Sequence, residues 1–202
     1  MTGALFLTGN RQDHMDVSAS GKASFTIHAP LVDAANPFIF VDSATMPQAW
    51  HERALDEPDS FEIIEAIRCE GAVKIGLASD IHSARPRSPD IFVNSYSMGK
   101  VHPSFQLTGA VCLSAAVSVP GTIASQIPQR RTLPISPPGT PPSVVVKDVM
   151  LEPYGRNAEV VIAHSSGTMM TDIKVIQGFD TEIDVQSVSI SRTARCCLRG
   201  MY

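Results

Sequence analysis

The stretch 108–119 reads Thr108-Gly109-Ala110-Val111-Cys112-Leu113-Ser114-Ala115-Ala116-Val117-Ser118-Val119. It is small or apolar on every side and carries no charge. A helix without a polar face must be enclosed by other structure, and Pro120-Gly121 supplies its stop. The flanking segments read as strands, so the fold expected is α+β, with a sheet wrapped around one buried helix. Upstream, 4–7 is an apolar run closed by the turn signal Thr8-Gly9-Asn10. A short strand follows at 14–17. In 23–28, Ala23, Phe25 and Ile27 alternate with Ser24, Thr26 and His28, the period of a half-buried strand. After Asn36-Pro37, the continuous apolar run 38–41 suits a strand covered on both faces.

One further helix is expected. Asp59 and Glu62 have capping-box spacing, and Phe61, Ile64, Ile67, Gly71 and Ile75 recur at helical intervals, with a stop at Gly76 near Ser79. The polar stretch 80–90, with Pro86 and Pro89, reads as loop. The run 125–143 holds prolines at 128, 134, 137, 138, 141 and 142, which favour an extended linker. Beyond it, 144–149, 159–164, 169–176 and 183–190 read as strands, with His164-Ser165-Ser166-Gly167 as a hairpin turn. No internal repeat is present.

A chain of 202 residues suffices for one domain with a core, or for one lobe with extensions. Hydrophobic residues at 44% against 18% charged exclude a disordered chain. A net charge of −4 and scattered basic residues argue against nucleic acid as a partner. Cys69, Cys112, Cys196 and Cys197 show no CxxC or other metal spacing, so no metal site is expected and a reducing compartment fits. The longest uncharged run, 101–129, contains Pro103, Pro120 and Pro128 and cannot supply a membrane span. The first ten residues lack a basic n-region. A soluble, cytoplasmic protein is the expectation.

Several blocks, in order, resemble the second half of PrpF proteins (the methylaconitate and aconitate isomerase family, also DUF453), a branch of the diaminopimelate epimerase-like fold. Leu7-Thr8-Gly9-Asn10 with Asp13 and Asp16-Val17 resembles the family's TGN-x-x-D-x-x-DV stretch. Leu31-Val32-Asp33-Ala34-Ala35-Asn36-Pro37 is similar to its LVDA-x-NP segment. Ser97-Met98-Gly99-Lys100-Val101-His102 and Leu107-Thr108-Gly109-Ala110 resemble its SMGK-x-H and LTGA blocks. His164-Ser165-Ser166-Gly167 is similar to an HPSG turn with serine for proline, and Arg192-Thr193-Ala194-Arg195 to the RTARR ending.

The resemblance implies two similar lobes, each a mixed, mostly antiparallel sheet around a central helix, with the active site between them. It implies a cofactor-independent isomerase: an allylic proton shift, or a cis-trans isomerisation, of an unsaturated di- or tricarboxylate such as methylaconitate or aconitate. On this reading 1–202 is a single C-terminal lobe, and the N-terminal lobe, with its SK-containing region and lysine base, has no counterpart. The family's strand between positions like Ser79 and Ser97 is also compressed into 80–96, and a missing strand would leave an open sheet edge.

The residues themselves give a candidate site. Thr108, Gly109 and Ala110 open the buried helix, where free N–H groups and the dipole favour a carboxylate. Gly109 would let the carboxylate approach the backbone. The bland alternative is that Thr108 is an N-cap and Gly109 a packing residue. Asn36 can donate to and accept from a carboxylate, or simply turn the chain before a strand. In the related epimerases an Asn-Pro pair at this place contacts the substrate. Lys100 could neutralise a carboxylate and His102 could shuttle protons; as ordinary loop side chains both would be solvated. Asn10 after Thr8-Gly9 is the last candidate.

Cys112, one turn inside the helix, should be an inert core thiol. Gln106 takes the approximate place of the epimerases' catalytic cysteine, so racemase chemistry is not expected. His164, Ser165 and Ser166 have no GxSxG around them and do not read as a hydrolase. Two functions follow. One is the isomerase, inactive without its first lobe and lacking the catalytic base. The other is a non-catalytic lobe that binds a carboxylate or a partner chain, such as a second copy covering the missing-lobe face.

Overall fold

Helix α3 (Leu107–Ser118) is the axis about which the chain is arranged. The computed structural model describes residues 4–19, 23–52, 57–71, 74–79, 89–97, 100–129, 156–177 and 183–191. Before α3 come β1 (Asp13–Val17), β2 (Phe25–Ala29), β3 (Leu31–Asp33), β4 (Pro37–Asp42), α1 (Gln48–His51), α2 (Pro58–Gly71), β5 (Lys74–Ser79), β6 (Ile91–Ser97) and β7 (Lys100–Val101). After it come α4 (Ile123–Gln129), β8 (Arg156–His164), β9 (Gly167–Gln177) and β10 (Ile183–Ser191).

The main sheet has the order β10-β9-β8-β6-β5-β4-β3, with β7 paired to β6. The β4–β5 and β6–β8 pairs are parallel and the others antiparallel. Helix α3 touches β3 and β4 near one end of this order and β8, β9 and β10 at the other. A sheet that meets one helix with both of its ends must curl around it. The sequence explains why: Gly109, Ala110, Cys112, Leu113, Ser114, Ala115 and Ala116 are all buried, so the helix offers no side that could be left to water.

Strand β4 separates two cores. Phe38 and Phe40 point into the inner cluster with Ala110, Leu113 and Ala116 of α3, and their rings stack with centroids 5.7 Å apart. Ile39 and Val41 face an outer cluster with Trp50, Ile63, Ile64 and Ile67. Each such fully buried side chain contributes about 1.5–3 kcal/mol. The outer cluster is closed by α2 and by the ribbon β1–β2, whose Val17, Ile27 and Ala29 are buried against it.

Several expectations need correction. Helix α2 opens at Pro58, ahead of Asp59, with proline at the first helical position where its missing N–H costs nothing. It ends at Gly71, and Ile75 and Gly76 belong to β5, paired in parallel with β4; sheet pairing overrides their helical spacing. Within the interval 80–96, the described part holds most of β6, which pairs with β5 on one side and with β8 and β7 on the other. Segment 4–7 makes one bridge, Phe6 to Val32, rather than a full strand. Residues 125–129, read as the start of the linker, continue helix α4. The remainder of that linker, 144–149, 80–88 and 192–195 lie outside the described residues. Among the described residues no helix is long and apolar enough to cross a membrane.

Candidate functional site

Two contacts fix which loops surround each end of α3. Ser114 Oγ donates to Thr171 Oγ1 at 2.7 Å, and Val175 lines the same cleft as Val117 and Ser118. Strand β9 therefore runs in the direction of the helix. Going back from Thr171 to Gly167 covers about 13 Å of strand, and from Ser114 to Leu107 about 10 Å of helix. The β8–β9 hairpin turn thus lies beside the start of α3. Ser165 Oγ donating to the Pro103 carbonyl at 2.9 Å ties it there.

By the same pairing, the β3–β4 turn reaches this end. Cys112 Sγ donates to the Asn36 carbonyl at 3.0 Å, which fixes Asn36 one turn above the helix start. The loop from β7 completes the rim. His102 N–H donates to the Ser95 carbonyl at 2.7 Å, and its Nδ1 lies 2.5 Å from the Ser104 carbonyl. The Ser104 N–H also points at that nitrogen, at 3.3 Å, but a carbonyl can only accept. The closer contact is met with the proton on Nδ1, the tautomer whose neutral ring presents Nε2 as the acceptor.

The helix start itself is unusual. Gln106 is its N-cap and makes no side-chain capping bond. Ala110 N–H is already bonded to the Gln106 carbonyl at 2.9 Å. The donors left at the opening belong to the first turn, where Leu107 is 48% exposed and Thr108 half-buried. The helix begins at Leu107, so Thr108 is not its cap.

Gly109 departs from its expected role. A Cβ there would stand 2.7 Å from Phe105 Cε2 and 3.0 Å from Phe38 Cζ. The space freed by the missing side chain is filled by two aromatic rings, so Gly109 serves close packing and gives no ligand an approach on that side. The accessible opening is the Leu107-Thr108 pair.

Five other candidates gather at this end: Asn36, Lys100, His102, Thr108 and Ala110, the last buried. Lys100 is exposed at the β6–β7 turn, paired in register with Ser97. Asn10 is elsewhere. Its Nδ2 donates to Asp13 Oδ1 at 2.9 Å, Thr8 Oγ1 donates to Asp13 Oδ2 at 2.7 Å, and the adjacent Arg11 donates to the Pro120 carbonyl at 3.0 Å. Pro120 follows the C-terminus of α3, so Asn10 belongs to the opposite end and organises a turn.

That opposite end holds a cleft of about 260 Å³ lined by Asp90, Ser118, Pro120, Ser125 and Glu159 among others. Concavity and charge disagree here. The cleft meets the negative end of the helix dipole and two acidic side chains, so a carboxylate gains nothing there. Charge decides in favour of the N-terminal rim. In the 164–167 turn, His164 is buried and its Nδ1 lies 3.0 Å from Ser166 Oγ. Cys112 is fully buried, as expected.

Comparison with known proteins finds the same family from which the motifs were read. The model of the PrpF protein family matches residues 1–91. The 2-methyl-aconitate isomerase of Cupriavidus necator is 25% identical, over 98% of this chain and 50% of its own length. That of Shewanella oneidensis is 24% identical, over 98% and 50%. The 3-methylitaconate isomerase of Eubacterium barkeri is 27% identical, over 62% of this chain and 40% of its own. The crystal structure of a methylitaconate-delta-isomerase superposes with a TM-score of 0.52 at 18% identity, covering 94% of this chain and 51% of that one. At that identity it shows a shared fold. The chain spans about half the length of the curated relatives it matches.

Proposed function

We propose that this chain is one half, the C-terminal lobe of an epimerase-like pair, of an isomerase that moves a double bond in an unsaturated di- or tricarboxylate. The relatives named as isomerases of methylaconitate and methylitaconate support the reaction class. The observation that carries the site is the uncapped start of α3, ringed by Asn36, His102 and the 164–167 turn. The first-turn N–H groups of Leu107 and Thr108 bind a substrate carboxylate. When a proton leaves the carbon next to it, charge spreads onto the carboxylate oxygens. Donors fixed beforehand in a cleft closed from water stabilise that charge most. Asn36 orients the carboxylate, Lys100 adds positive charge at the rim, and His102 offers Nε2 as a proton acceptor. The main base comes from the other half, and the reaction uses no cofactor.

The same uncapped helix start favours one competing reading, a lobe that binds a carboxylate without converting it. One experiment separates them. The purified chain is titrated with trans-aconitate by calorimetry and assayed for isomerisation, alone and with the separately produced first half of a relative. Binding without turnover, and turnover on mixing, is the expected outcome. Binding with no turnover in either case establishes the non-catalytic lobe, turnover by the chain alone removes the half-site argument, and no binding removes both readings.

A further inference from the structure

We propose that His14 and His28 form a two-imidazole chelate for a divalent transition-metal cation of the kind that prefers nitrogen, such as Zn2+ or Ni2+. The two residues are a registered pair across the antiparallel ribbon β1–β2, and their rings lie with centroids 4.1 Å apart, tilted by 57°. They occupy the solvent side of the ribbon with Asp16 and Thr26, while Val17, Ile27 and Ala29 turn inward. Their contact with each other is the interaction the structure gives these rings; among the described residues neither imidazole makes a hydrogen bond.

A metal bound to imidazole has metal–nitrogen distances of about 2.0–2.1 Å, which sets two ligating nitrogens on a shared ion about 3 Å apart. Rings whose centres are 4.1 Å apart and tilted can present such an edge pair with a small rotation about their side-chain torsions. Neutral imidazole suits zinc, copper and nickel, and disfavours the oxygen-seeking magnesium and calcium. The carboxylate of Asp16, held by Thr26 Oγ1 at 2.6 Å, adds negative charge on the same face.

Among the described residues no group of three His, Cys, Asp or Glu side chains is placed to hold an ion, so water completes the coordination and the affinity is modest. A bound ion would clamp the ribbon that covers the outer core, and two-stranded ribbons gain little from their own ladder.

The full chain, carrying Cys69→Ser, Cys196→Ser and Cys197→Ser to remove thiols that would compete for the ion, is titrated with ZnCl2 and, separately, NiCl2 in a non-coordinating buffer. Saturable one-to-one binding with a raised thermal midpoint is expected. Both effects are lost in His14→Ala and in His28→Gln, whose metal-free midpoints serve as the folding control. Magnesium and calcium give no shift. Failure to bind either transition metal, or binding that survives in either variant, overturns the proposal.

Discussion

Gly109 and Tyr96 show how single atoms set the balance of this core. A methyl at Gly109 would stand 2.7 Å from the ring of Phe105, and both Phe105 and Phe38 are buried too deeply to swing aside. Overpacking of this kind costs about 1–3 kcal/mol, whereas replacing a helical glycine by alanine recovers at most about 1 kcal/mol. Gly109→Ala is therefore expected to lower stability in urea unfolding, and Phe105→Leu on the same chain to restore part of the loss. Tyr96 presents the opposite case. It is buried with its ring edge-on to Trp50, and among the described residues its hydroxyl has no hydrogen-bond partner. An unpaired buried hydroxyl costs about 1–3 kcal/mol, so Tyr96→Phe should be at least as stable as the parent. Burial also pushes the phenol above its ordinary value of 10.0. The unfolded chain ionises first, so the folded state binds the extra proton and stability falls as pH rises above about 10. The phenylalanine variant lacks that part of the alkaline loss, which denaturant titrations at pH 8 and above would measure.

Between elements, a buried polar chain fastens α3 to the sheet. Ser114 Oγ donates to Thr171 Oγ1, which donates to the Val160 carbonyl at 3.1 Å, and all of these groups are buried. Thr171→Val strands the Ser114 hydroxyl and is expected to cost about 1–3 kcal/mol. Ser114→Ala leaves Thr171 its carbonyl partner and should cost less. The double variant leaves neither group stranded, so its loss should fall below the sum of the two, by about 0.5–3 kcal/mol of coupling; strict additivity in denaturant midpoints would disprove the chain. This scale also shows what the sequence made legible. The all-apolar 108–119 stretch announced its own enclosure because a helix without a polar side has one environment. The run 38–41 announced two covered faces for the same reason. The end of α2 was hidden, because Ile75 keeps helical phase with Ile64 while its backbone pairs with Ile39 across the sheet. Pairing between distant strands leaves no local trace. The site divided in the same way: Asn36 and the helix start were readable as residue types. That Arg11 draws Asn10 to the far end, and that two rings fill the space beside Gly109, are facts of three-dimensional packing.

For the molecule as a whole, the question is whether the open start of α3 binds an anion or merely ends a helix, and Leu107 allows a test in which folding and binding move in opposite directions. Leu107 is exposed at the first helical position, so replacing it removes little burial. Glutamate there places a negative charge against the positive end of the dipole, which should hold or raise stability by about 0.3–1 kcal/mol. The same carboxylate would sit at the opening assigned to the substrate and oppose it by like charge. Leu107→Glu is accordingly expected to unfold at the same or a slightly higher temperature while its affinity for trans-aconitate falls, and Leu107→Gln to keep most of that affinity. A mutation that merely damaged the fold would lower both quantities together. Unchanged affinity in a stable Leu107→Glu protein would mean that the carboxylate binds elsewhere, and the arrangement of Asn36, His102 and the β8–β9 turn around this helix would then need a purely structural reason.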